Sequence, residues 1–95
     1  MIKNKAKVNT KFVATFKNII VDAKGQPQDA LIVDIVSECG KARKSRHKVD
    51  YSVAPELFES LNSGDQIVFE AQYQERPAYA EGYQLFSIKN IKRLS

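Results

Sequence analysis

Tryptophan is absent from this 95-residue chain, cysteine, histidine and methionine occur once each, and there are only four glycines and three prolines. Each scarcity removes a class of answer. The lone Cys39 has no partner for an internal disulfide, which points to a reducing compartment and hence the cytoplasm. One cysteine and one histidine fall short of the four N/S ligands of a structural zinc site, so neither a metal nor another cofactor is expected. The glycines at 25, 40, 64 and 82 are scattered and form no phosphate-binding loop. The longest apolar runs, Ile19-Ile20-Val21 and Ala30-Leu31-Ile32-Val33, are far shorter than the roughly 20 residues a membrane helix needs. The basic start, Met1-Ile2-Lys3-Asn4-Lys5, is followed by no apolar segment of a signal peptide, so neither secretion nor a membrane is expected. No repeat or low-complexity tract interrupts the chain.

Hydrophobic residues make up 43% of the sequence and charged residues 27%, a balance that suits one folded domain over residues 1–95. Fifteen Lys and Arg against eleven Asp and Glu leave a net charge of +4, which permits a polyanionic partner without requiring one. The distribution of charge is more telling. Lys41, Arg43, Lys44, Arg46 and Lys48, with His47 among them, form a stretch free of acids. Smaller basic groups stand at Lys3, Lys5, Lys7 and Lys11 and at Lys89, Lys92 and Arg93.

Strand patterns dominate. Phe12, Ala14 and Phe16 alternate with Val13, Thr15 and Lys17, the two-residue period of a half-buried strand. A turn at 22–27 leads to a second strand over about 29–39, with Leu31, Val33 and Ile35 assigned to the core and Ile32, Asp34, Val36 and Glu38 to the outside. The basic stretch 41–46 reads as a loop, and a third strand follows over about 47–53, with Val49, Tyr51 and Val53 on one side. Pro55 suits the first turn of a helix, and Leu57, Phe58 and Leu61 continue at helical spacing before Asn62-Ser63-Gly64-Asp65 stops it. A fourth strand carries Ile67, Phe69, Ala71 and Tyr73, and a long loop spans 76–82. The last strand, about 83–94, carries Leu85, Phe86, Ile88, Ile91 and Leu94, and its apolar spacing slips from two to three near Ser87, which predicts a bulge. All five phenylalanines are assigned to the core.

Three strands, a short helix and two strands form an all-β chain. Closing them into a five-stranded Greek-key barrel would remove the sheet edges, with the helix plugging one end. With Ala54-Pro55-Glu56-Leu57-Phe58-Glu59-Ser60-Leu61 as the plug and Ser63-Gly64-Asp65-Gln66-Ile67-Val68-Phe69 leading into strand four, the order resembles small OB-fold nucleic-acid-binding proteins of the single-strand-binding or replication-accessory type. That resemblance implies a binding face built on strands two and three and on the loops after strands one and four, here 22–28 and 75–82.

Catalytic chemistry is thinly represented. Cys39 and His47 could in principle pair as nucleophile and base, but Cys39 ends an apolar strand and reads as an inert thiol. Glu56 with Glu59, and Asp34 with Glu38, read as solvated surface acids, and no enzyme is expected. The expected function is binding of single-stranded nucleic acid, DNA ahead of RNA, in DNA replication, recombination or plasmid or phage maintenance. Lys41, Arg43, Lys44, Arg46, His47, Lys48 and Arg76 would track phosphates, and Tyr79 and Tyr83 would stack on bases. Tyr51 and Tyr73 sit in the core phase of their strands and are assigned to packing. Two alternatives accompany this reading: an RNA-binding OB protein, and a protein-interaction OB module. Ile32 and Val36, placed outside and flanked by acids, would make a homodimer seam, a docking site for a larger partner, or an apolar floor under bases.

Overall fold

A computed structural model describes residues 9–38, 42–75 and 83–94, with the backbone alone for 42–45, 74, 75 and 83. Strand β1 runs Thr10–Val21, β2 Pro27–Ser37 and β3 Ala42–Asp50; a 3-10 turn, Tyr51–Val53, precedes helix α1, Pro55–Ser60, and β4, Gln66–Glu75, and β5, Tyr83–Arg93, follow. All pairings are antiparallel, in the order β3-β2-β1-β4-β5, and the sheet curls strongly into a half-barrel with the strand order and helix position of an OB-type fold. The edge strands β3 and β5 approach one another without joining the hydrogen-bonded ladder, so the barrel has a seam instead of full closure among the described residues.

The curl has local causes. Asp34, Ser87 and Asn90 hold φ values of 53°, 56° and 56°, in the left-handed region, and each lies at a break in strand register. An extra residue at such a bulge bends its strand and increases its twist. Further shifts in the β1–β2 pairing, between Val13 and Thr15 and between Phe16 and Asn18, add to the bend.

The core fills the concave side. Phe12, Ala14 and Phe16 from β1 face Ile67, Phe69 and Ala71 from β4, with Ala30, Ile32 and Ile35 from β2, Val49 from β3 and Leu85 from β5. Phe12 stacks on Phe69 at 5.6 Å and meets Tyr73 edge-on at 5.5 Å. Helix α1 plugs one end. Pro55 occupies its first turn, Phe58 is fully buried, Leu61 is buried and Leu57 packs partly on the core. The Phe58 ring lies 6.5 Å from Phe16 and 6.2 Å from Tyr51, whose hydroxyl donates a hydrogen bond to Glu59. The turn into β4 is tied to β1: Gly64 N–H donates to Phe16 O at 2.9 Å, and Phe16 N–H donates to Asp65 O at 2.8 Å. Gly64 has φ +100°, a conformation that costs glycine little.

Several assignments from the sequence are overturned. Residue 32 is fully buried, and Leu31 belongs to no part of the core cluster, so β2 carries Ala30 and Ile32 inward, then Ile35 and Ser37. The bulge at Asp34 supplies the reason: it resets the alternation in mid-strand. With a fully buried side chain, Ile32 cannot serve as a docking residue. Only Val36 of that pair faces outward, half-buried beside Val13. The basic stretch after Lys41 is strand rather than loop, because β3 pairs with β2 from Ala42 onward. β3 ends at Asp50, whose carboxylate accepts from Ser52 N–H and turns the chain, so Tyr51 packs on the core while Val53 is 46% exposed. Phe86 is not a core residue; it is 43% exposed.

Candidate nucleic-acid interface

The outer side of β1, β2 and β3 carries the arrangement closest to a binding site. Register sets it residue by residue: Arg46 lies opposite Val33, His47 opposite Ile32 and Lys48 opposite Leu31. The bulge that moves Ile32 into the core leaves Leu31 on the outside. Leu31 and Ile20 of β1 line the apolar part of a shallow groove of about 490 Å³, and Arg46, His47 and Lys48 line its polar part. Leu31 is only 8% exposed although it lies outside the core, as expected where long cationic side chains lay their aliphatic stems over an apolar neighbour.

The charges in this groove are available. Arg46 and Lys48 are exposed, and neither makes an ion pair with another described residue. His47 is partly buried, and burial lowers its pKa below the ordinary histidine value. Beside the groove, the loop from β1 to β2 is held by its own first residue. The Oδ1 atom of Asp22 accepts from Lys24 N–H at 2.8 Å and Gln26 N–H at 2.9 Å, and Gly25 takes the positive φ of 83°.

Arg46 and Lys48 are therefore brought together on the outer surface, whereas His47, between them and opposite the buried Ile32, takes the core side of β3. Arg43 and Lys44 lie on the same strand by backbone position, and Tyr83 begins β5 opposite Glu75. Lys41, Arg76 and Tyr79 lie outside the described residues, as does Cys39. The C-terminal basic group divides. Arg93 is engaged structurally, its Nη1 2.9 Å from Asp65 Oδ2 and its Nη2 donating to Ser60 O at 2.9 Å, so it clamps the end of β5 to the end of α1. Lys89 and Lys92 remain exposed on β5.

Two contributors escaped the sequence reading. The apolar floor is Leu31 with Ile20, not Ile32 with Val36, and Phe86 is a surface aromatic. The three-residue spacing from Ile32 to Ile35 was the available signal for the first, and the same spacing from Leu85 to Ile88 to Ile91 for the second. Among the described residues, no group of three or more His, Cys, Asp and Glu side chains could hold a metal ion, and no helix is long and apolar enough to cross a membrane. No family model matches the chain, and no curated protein or solved structure does either.

Proposed function

We propose that this chain binds single-stranded nucleic acid, with DNA as the preferred strand, and carries out no catalysis on it; replication, recombination or plasmid and phage maintenance are the settings in which such a domain would act. The observation that carries this reading is the groove on the outer face of β1–β3, where Arg46 and Lys48, without an ion pair among the described residues, border an apolar floor of Leu31 and Ile20. A single strand offers phosphates and apolar base faces together, and this groove offers a counterpart to each. A duplex hides its base faces and would use the cations alone. The OB-type half-barrel supports the reading because the groove lies on the strands such folds use for ligands.

The test is a titration of fluorescent single-stranded DNA, single-stranded RNA and duplex DNA at several salt concentrations. The single strands should bind more tightly than the duplex, DNA ahead of RNA, and log affinity should fall linearly with log salt. Replacing Arg46 and Lys48 with Ala should reduce that slope by about 1.4, from roughly 0.7 per phosphate contact on a single strand. The loss should be similar across base sequences, because phosphate contacts position a strand without reading it. Absence of binding to any of the three at low salt would remove the proposal.

A further inference from the structure

The two bulges of β5 have a second effect besides bending the strand. With Ser87 and Asn90 in the left-handed conformation, the alternation of β5 becomes a repeat of three. Leu85, Ile88 and Ile91 pack on the core, and Phe86, Lys89 and Lys92 are left exposed. An unbulged strand would have sent Phe86 and Lys89 to opposite faces. Here an aromatic ring and two cations stand in line along the outside of one strand. The second bulge is pinned, since Asn90 Nδ2 donates to Glu70 Oε1 at 3.3 Å. Across the sheet, Gln72 lies opposite Phe86, Glu70 opposite Lys89 and Val68 opposite Lys92, while Lys11 of β1 flanks Glu70 from the other side. A depression of about 150 Å³ opens between Lys11 and Lys92. Lys11, Lys89 and Lys92 make no ion pair with another described residue, and Lys11 and Lys89 stand on either side of Glu70.

Resting on the proposed function, we infer that the Phe86–Lys89–Lys92 ridge is a second surface for the same single strand, which leaves the β3 groove, crosses the barrel seam and continues along β5. Two observations favour this occupant. The ridge pairs a ring that can stack on a base with cations spaced along one line, which suits a chain of alternating bases and phosphates. The edge strands that carry the two surfaces approach within 8 Å, Cα to Cα, so their outer faces adjoin at the seam.

The experiment compares oligothymidylates of about 4 and about 16 nucleotides, the two ends of the range an OB unit covers. It uses the wild-type chain, Phe86→Ala, Lys89→Ala/Lys92→Ala, and Arg46→Ala/Lys48→Ala. The short strand should occupy the β3 groove alone. Phe86→Ala should weaken the long strand by about fivefold or more, the lower end for one lost stack, and leave the short strand within about twofold. Lys89→Ala/Lys92→Ala should lower the salt slope by about 1.4 for the long strand only. Arg46→Ala/Lys48→Ala should weaken both. If both β5 variants bind the long strand as wild type does while the β3 variant fails, the ridge is refuted and the groove stands. If the β5 variants weaken both lengths by the same factor, Phe86 belongs to the primary site and the two-surface path is wrong. If the wild-type chain binds neither strand, the underlying function fails and the ridge with it. All the substituted side chains are exposed, and unchanged thermal transitions would confirm that the fold is intact.

Discussion

Among single residues, His47 ties the stability of the fold to pH most directly. Burial disfavours its protonated form, so its pKa in the folded protein lies below the ordinary value of about 6.5. The unfolded chain therefore binds the proton first as pH falls. The stability tied to neutral His47 should be complete above about pH 6.5 and decline as pH drops below it. His47→Gln should flatten this limb in urea unfolding measured from neutral to mildly acidic pH; an unchanged slope would mean that the imidazole is as free in the folded state as in the unfolded one. Asp50, whose pKa is lowered by hydrogen bonds from Ser52, acts in a separate window below about pH 4, where its carboxylate takes up a proton. The conformation of single residues also decided which parts of the outer face could be read in advance. The slip in spacing near Ser87 marked a bulge in β5, and one is present there. The equivalent slip at Asp34 was masked because Leu31, Val33 and Ile35 form an unbroken alternation of their own. Period alone could not choose between Leu31 and Ile32, and choosing wrongly exchanged core for floor.

At the level of elements, α1 was legible throughout and β3 only in its second half, for opposite reasons. The helix carries its own local signals: Pro55 at its start, apolar residues at helical spacing and the turn at Gly64 after it. The first half of β3 carries almost none, since lysine favours strands weakly, and among the residues of β3 whose side chains are described Val49 is the one core hydrophobic. Its strand form comes from main-chain pairing with β2, which is a tertiary fact. The difference has an energetic counterpart. The short helix has little stability alone and depends on what it buries. Phe58 is 0% exposed and touches both Phe16 and Tyr51, so Phe58→Ala should cost about 3–5 kcal/mol in denaturant unfolding. A loss below about 1 kcal/mol would show that the plug does not hold the barrel end.

For the whole molecule, the cations admit two explanations that charge composition cannot separate. The half-barrel leaves two edge strands, and β3 and β5 are the strands richest in Lys and Arg. Charged edges discourage pairing with a second chain, so these residues would have a use even without a ligand. Sign separates the explanations: edge protection needs charge of either sign, whereas binding a polyanion needs positive charge. Lys48→Glu lowers the net charge of +4 by two and keeps it positive. If Lys48 contacts phosphate, this variant should keep the wild-type sedimentation behaviour yet bind single-stranded DNA more weakly than Lys48→Ala, because repulsion replaces a lost attraction. Lys48→Val should do the reverse on the protective count, adding a β-branched apolar residue to an open edge and promoting self-association. Should Lys48→Glu bind DNA as the wild-type chain does while Lys48→Val self-associates, the lysine guards the edge and the phosphate track runs elsewhere. If both effects appear, one row of side chains serves both needs. That outcome would be physically economical: an open seam supplies the edges that must be charged, and on the proposed function the groove and ridge would give the same positive charge a ligand to meet.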